Sequence, residues 1–366
     1  MSVTAEAKEK EKRLRTALSA SGYDSVIITR RSNFAWMACG GDAVSSRVSR
    51  TSPVYLVVTP QKKYAVGYSM DLPWVMEDAL GDLDYEAVAM QPFGKTPEEK
   101  SLELAEGNVA SDDSFLGIDD INADIIRLHE PYTPEEMARY RQLAKDCSEI
   151  QAELAHWVEP GMTERYVLAR TWQLYLERGI EGHYMFVGSD DRIKRFRHPI
   201  PSDKPIEKVV LLAPGVARWG LLASTSRIIC FGKPSEDLRD RFNVAATIQA
   251  ALLARTQPGM HLTSLFKLIV DLFEQLGYPE ERYNHFHGGP VGYWAGYAER
   301  MQDPDETVKP DMAFLYYLTI AGVHCEELML VDDQGAEYVS IDPDWPMLEI
   351  EFEGNTASVP DIYVRS

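Results

Sequence analysis

Short apolar runs alternate with helix-spaced stretches through the first third of the chain. A helix is predicted from Glu9 to Ala20, followed by a strand at Ser25-Val26-Ile27-Ile28-Thr29. Val54-Tyr55-Leu56-Val57-Val58 and Lys63-Tyr64-Ala65-Val66-Gly67, parted by Thr59-Pro60-Gln61, read as a hairpin. A helix near Leu72 to Leu80, an acidic helix-and-loop stretch from Pro92 to Asp113, and a strand at Phe115 to Ile118 complete an α/β module.

From Thr133 onward the pattern repeats itself. Thr133-Pro134-Glu135-Glu136 has the form of a capped helix start: Thr133 accepts from orphan amides, Pro134 suits the first helical position, and Glu136 closes the box. Ser235-Glu236-Asp237 opens a similar run to about Ala254. Each run leads to a Pro-Gly-Met turn, Pro160-Gly161-Met162 and Pro258-Gly259-Met260, 98 residues apart. An amphipathic helix then ends at Gly179 or Gly277, and a β-rich run follows, Val209-Val210-Leu211-Leu212 or Ala313-Phe314-Leu315-Tyr316-Tyr317. Two copies of helix, turn, helix and strand imply a duplicated half with a site between the copies. The expected domains are 1–131, α/β, and 132–366, α+β with antiparallel strands covered by helices on one face. Leu348-Glu349-Ile350-Glu351-Phe352 reads as a closing strand.

At 366 residues the chain exceeds one typical core. Its 45% apolar and 26% charged content is ordinary for a globular protein. The absence of a long apolar stretch argues against a membrane span, and the Glu/Lys-rich Met1 to Arg15 has no signal-peptide core, so a cytoplasmic location is expected. A net charge of −20 repels polyanions and argues against nucleic acid as a partner. Cys39, Cys147, Cys230 and Cys325 lack CxxC spacing and read as reduced, buried thiols; only Cys325, between His324 and Glu326, has neighbours suited to catalysis.

The duplication, together with Arg197-His198-Pro199-Ile200-Pro201, Leu211-Leu212-Ala213, His285-Phe286-His287-Gly288-Gly289 and Glu326-Glu327-Leu328-Met329-Leu330-Val331, resembles the pita-bread family of creatinase, aminopeptidase P and methionine aminopeptidase. The resemblance spans nearly the whole chain. It implies an α/β N-terminal domain, a pita-bread catalytic domain and a homodimer. In the family's metallopeptidases two Asp, one His and two Glu hold two divalent ions. Those positions fall on Ala213, Ser224, Gly289, Tyr317 and Glu326, and one carboxylate cannot replace five ligands. The expectation is therefore no family-type metal site and no cofactor.

His198 matches the position of creatinase's catalytic histidine, and its ordinary pKa suits acid–base work; otherwise it fixes a loop. His285 and His287, two apart, would share a face if extended. His324 and Glu326 share a strand face, where the carboxylate would raise the imidazole's pKa. Glu326 would then hold a cationic or polarised part of the substrate, while Glu327 points away as a solvated or structural residue. Tyr317 and Ser224 are candidate substrate contacts, or Tyr317 fills space left by the ions. Arg195 and Arg197 would share a face if extended and suit a carboxylate, or are loop charges. The expected function is metal-independent hydrolysis of a C–N bond in a small polar molecule. Alternatives are an inactive binding or scaffold protein and an Xaa-Pro peptidase with an atypical metal.

Overall fold

The computed structural model describes residues 3–114, 117–294 and 297–365. They fall into two compact units, one of Met1–Glu136 with Trp219–Leu221 and Gly292–Trp294, the other of Met137–Arg218, Leu222–Val291 and Ala295–Ser366. The break lies just inside the helix Pro134–Trp157, a few residues past the expected Glu130-Pro131-Tyr132.

The first unit carries a mixed six-stranded sheet. Its spatial order is Glu86–Met90, Lys63–Tyr68, Thr51–Val58, Ser25–Arg30, Val109–Ser111 and Asp119–Asp120. The hairpin expected around Pro60 pairs Val58 with Lys63 and Val54 with Gly67. The helix expected at Leu72 to Leu80 is one α-turn, Leu72–Trp74, that widens into π-helical Val75–Leu80. Part of the strand expected at Phe115 to Ile118 lies outside the described residues.

The duplication begins at the last residues of the first unit and runs through the second. Thr133 and Glu136 form the reciprocal cap, at 3.3 Å for Glu136 N to Thr133 Oγ1 and 2.7 Å for Thr133 N to the Glu136 carboxylate. Ser235 accepts from Leu238 N at 3.2 Å and starts the helix Glu236–Arg255. Both Pro-Gly-Met turns place their glycine in the left-handed region, at φ +90° for Gly161 and +87° for Gly259, where a side chain would be strained. Each turn is then clamped the same way: Gly161 N donates to Ile206 O and Gly259 N to Val308 O, both at 2.8 Å. The helices that follow, Glu164–Glu177 and Leu262–Gln275, lead toward two sheets. One has Glu181–Ser189, Val209–Arg218, Arg227–Phe231 and Tyr363–Arg365 in order, with Leu221–Ser224 beside Val209–Arg218. The other has Gly288–Val291, Ala313–Ile320, Val323–Asp332 and Gly335–Tyr338. The expected closing strand is Met347–Phe352, paired with Asn355–Pro360.

The helix Glu236–Arg255 buries Leu238, Phe242, Ala245, Ala246 and Leu252, spaced to form an apolar stripe. That stripe joins Tyr316, Leu318, Cys325 and Met329 in the main core, which leaves the opposite face of the Ala313–Asp332 hairpin for other work.

Candidate active site

Strand alternation sorts the hairpin's residues. Antiparallel register sets Tyr317 opposite Glu326 and Thr319 opposite His324, so these four side chains share the face turned away from the helical core. Cys325 lies on the core side, and burial pushes its thiol far above the usual range. That removes the one cysteine with neighbours suited to catalysis. Glu327, also on the core side, is buried and bonded to Arg227 and to Ser340 Oγ at 2.8 Å. It is structural, not solvated.

Glu326 is 3% exposed and meets hydroxyls rather than a cation. It shares hydrogen bonds with Ser224 and Tyr184, and burial pushes its pKa up to about 8. Ser224 Oγ donates its proton to Pro214 O at 2.8 Å. Burial outweighs the lowering by the Ser224 and Tyr184 hydroxyls, so the neutral form of Glu326 is favoured at pH 7. Tyr184 reaches this point because Gly215 faces it across the strand pair; a Cβ at 215 would fall 2.2 Å from the ring. A glycine inside an apolar strand was the only sequence signal for Tyr184.

His198 and His285 come together from the two copies. Their Nε2 atoms lie 2.8 Å apart, with rings nearly perpendicular at 84°. The His285 Nδ1 faces the Phe286 carbonyl, which only accepts, so Nδ1 carries the proton and His285 Nε2 is a lone pair. The shared proton then belongs to His198 Nε2, and His198 Nδ1 is the free basic nitrogen. Phe186 stacks on His198 at 4.4 Å, and Tyr317 meets His285 edge-on at 5.2 Å. Burial lowers both imidazole pKa values, so the pair is neutral at pH 7.

Buried carboxylates hold the loops that carry this pair. Glu164 accepts from Ser189 N at 2.8 Å and Ser202 N at 2.9 Å, and pairs with Arg192. Glu281 bonds Arg197, Asn284 Nδ2 at 3.1 Å and Ala321 N at 3.3 Å, so it touches the His198 loop, the His285 loop and the hairpin turn. Neither glutamate stood out in the sequence.

Several expectations are corrected. His287 does not share a face with His285, because the chain turns through the 3-10 helix Pro279–Tyr283 and a bend rather than extending. It packs on Phe273 at 5.2 Å, bonds Arg282 O at 3.2 Å, and burial lowers its pKa to about 4. His324 is lowered to about 3, not raised: burial dominates, and its neighbour Glu326 is uncharged. Arg195 lies in the short helix Asp191–Arg195 and pairs with Asp191 at 3.1 Å, while Arg197 pairs with Glu281. The two arginines do not form a carboxylate clamp.

The donor set does not fit a pair of divalent ions. Ala213 and Gly289 offer no side-chain donor, and Ser224 and Tyr317 are neutral hydroxyls, which leaves Glu326 as the one carboxylate at these five positions. Among the described residues no three His, Cys, Asp or Glu are grouped to hold a metal.

The chain matches the model of metallopeptidase family M24 over residues 138–333. It is 24% identical over 233 residues to an Xaa-Pro dipeptidase of Pyrococcus furiosus, a match covering 61% of this chain and 66% of that protein. The chain thus spans a little under two thirds of the length of such curated relatives. Among solved structures it resembles an Xaa-Pro dipeptidase from Bacillus anthracis, at TM-score 0.74 and 18% identity over 98% of this chain and 100% of the other. A dipeptidase from Mycobacterium ulcerans gives TM-score 0.76 at 18% identity, covering 99% of each chain. The expected pita-bread fold with an α/β N-terminal domain is thereby found. No helix among the described residues is long and apolar enough to cross a membrane.

Proposed function

This chain belongs to metallopeptidase family M24, and on that premise we propose that it is a hydrolase cleaving a C–N bond in a small polar molecule without a metal ion. The observation that carries the reading is the His198–His285 contact of 2.8 Å, an imidazole pair whose tautomers leave His198 Nδ1 basic. In this mechanism His198 Nδ1 removes a proton from water as the water attacks the carbonyl carbon. His285 accepts from His198 Nε2 and steadies the imidazolium that forms, and His198 then returns the proton to the leaving nitrogen. Glu326, as a neutral acid among Ser224 and Tyr184, supplies a hydrogen bond to developing negative charge rather than holding a cation. His324 and Tyr317 line the same face, whereas His287, Arg195 and Arg197 act in folding. A homodimer in the cytoplasm belongs to the same proposal.

The test is turnover of Xaa-Pro dipeptides and small amides with and without a chelator. Activity unchanged by the chelator and lowered about 10²–10³-fold in His198→Ala supports the reading. Activity abolished by the chelator and restored by stoichiometric manganese, cobalt or zinc overturns it in favour of an Xaa-Pro peptidase with an atypical metal. Loss of the family's ligand set at Ala213, Ser224, Gly289 and Tyr317 favours a second reading, a catalytically silent binding protein. In that case neither condition shows turnover while ligand binding persists.

A further inference from the structure

On the hairpin face turned away from the helical core, beyond Tyr317 and Glu326, two buried polar atoms lack hydrogen-bond partners among the described residues. His324 Nε2 and Thr319 Oγ1 belong to side chains that are 6% and 1% exposed. The two residues are direct cross-strand neighbours, so their side chains stand side by side on one face. His324 donates to the main chain at Arg197 through its other ring nitrogen, which makes Nε2 a fixed lone-pair acceptor. Thr319 offers a hydroxyl that donates or accepts. These two residues adjoin the imidazole pair, with the His285 and His324 rings 6.4 Å apart. Leaving two such atoms buried and unsatisfied costs stability, which is tolerated where a ligand completes them.

The charges around it are already matched. Arg197 is bonded to Glu281, Arg195 to Asp191, Lys194 to Asp237 and Arg227 to Glu327. Glu326 meets the hydroxyls of Ser224 and Tyr184. A ligand carboxylate entering here would meet Arg197 only as a guanidinium already neutralised by Glu281, and an ammonium group would meet no ready anion.

We propose that Thr319 and His324 form a subsite for an uncharged carboxamide, a primary amide or lactam, with the amide N–H donating to His324 Nε2 and its carbonyl accepting from the Thr319 hydroxyl. The assignment deepens the hydrolase reading by naming the substrate's recognised group. It sets this site apart from one built for a zwitterion, because a buried acceptor–donor pair rejects groups that cannot satisfy it.

The experiment is calorimetric titration of the full chain with 2-pyrrolidinone and propionamide against pyrrolidine and propionate, with ¹⁵N NMR of the histidine rings. The expected result is binding of both amides, a shift confined to one nitrogen of His324, and no binding of the charged counterparts. Thr319→Val, nearly isosteric, should weaken the amides about tenfold, the scale of one lost hydrogen bond. His324→Leu should do the same, and His324→Gln should recover part of the loss. Tighter binding of propionate or pyrrolidine than of the amides overturns the subsite, as does unchanged amide affinity in Thr319→Val. Amide binding that survives in His198→Ala while no amide is ever turned over leaves the subsite standing and removes the hydrolase reading. Turnover with amide affinity indifferent to Thr319 and His324 does the reverse.

Discussion

Glu326 hydrogen-bonds the hydroxyl of Ser224, which also donates to Pro214 O at 2.8 Å, and burial lifts the carboxyl's pKa to about 8. The bond thus couples a strand of one copy to a strand of the other through a neutral carboxylic acid. It also explains how a carboxyl group 3% exposed does without a cation: in its uncharged form it avoids most of the desolvation cost.

A pH signature follows. Glu326 is held at a pKa of about 8 in the folded chain, against an ordinary 4.5. Between those values the folded state binds the extra proton, so stability is full below the lower value and is lost as pH rises through the upper one. The difference amounts to on the order of 5 kcal/mol. Glu326→Gln keeps the shape of the neutral acid and removes this slope. Thermal unfolding from pH 5 to pH 9 should show the variant gaining on the wild type steadily up to about pH 8 and little beyond it. Parallel curves would mean that Glu326 is ionised in the fold.

Glu281 ties three site-bearing segments, so its loss should act at a distance from the chemistry. Glu281→Ala strands the Arg197 guanidinium, which already has one nitrogen without a partner, and frees Asn284 and Ala321 N. Removing one partner of a buried pair costs about 3–5 kcal/mol. The conservative Glu281→Gln keeps one acceptor oxygen, enough for Arg197 and Asn284 or for Ala321 N but not for both sides, and should fold. In it the His198–His285 pair should loosen, so that kcat falls about tenfold with KM nearly unchanged. A fall confined to KM would place Glu281 in substrate contact instead.

The architecture was legible because duplication writes itself into sequence. Paired Pro-Gly-Met turns, matched caps at Thr133 and Ser235, and strand runs at Val209 and Ala313 needed only local rules. The site was legible only in part. His198, His285 and Glu326 were visible as chemistry, but their charge states depend on burial, which sequence spacing does not carry. His324 was expected to gain a proton from a nearby anion, and burial with a neutral Glu326 reversed the sign. Tyr184 and Phe186 were hidden in a strand that reads as ordinary core. Their roles come from Gly215, which makes room for Tyr184, and from Pro199, which seats against Gly188 and brings the His198 loop close.

The same duplication allows a twin experiment. Gly161 and Gly259 have nearly equal positive φ, and nothing lies within 4 Å of a Cβ added at either. Alanine at each position should therefore cost only the left-handed backbone penalty, about 1–2 kcal/mol. Equal losses in denaturant midpoint, with activity kept, are expected. A much larger cost at one turn would show that the copies bear unequal load.

Acid should weaken the fold through His287. Its ring lies against Phe273, and its surroundings include His285, Arg197 and Glu281. Burial, the largest cause, lowers its pKa from 6.5 to about 4. The unfolded chain therefore takes up a proton first as pH falls. The stability owed to this neutral imidazole is complete above pH 6.5 and declines by about 3 kcal/mol on the way to the folded value. His287→Leu fills similar space beside Phe273 and cannot titrate, although it gives up the bond to Arg282 O. It should start slightly less stable at pH 7.5 and lose less between pH 6.5 and 4, so that the two unfolding curves cross. Equal losses over that range would mean that His287 titrates alike folded and unfolded.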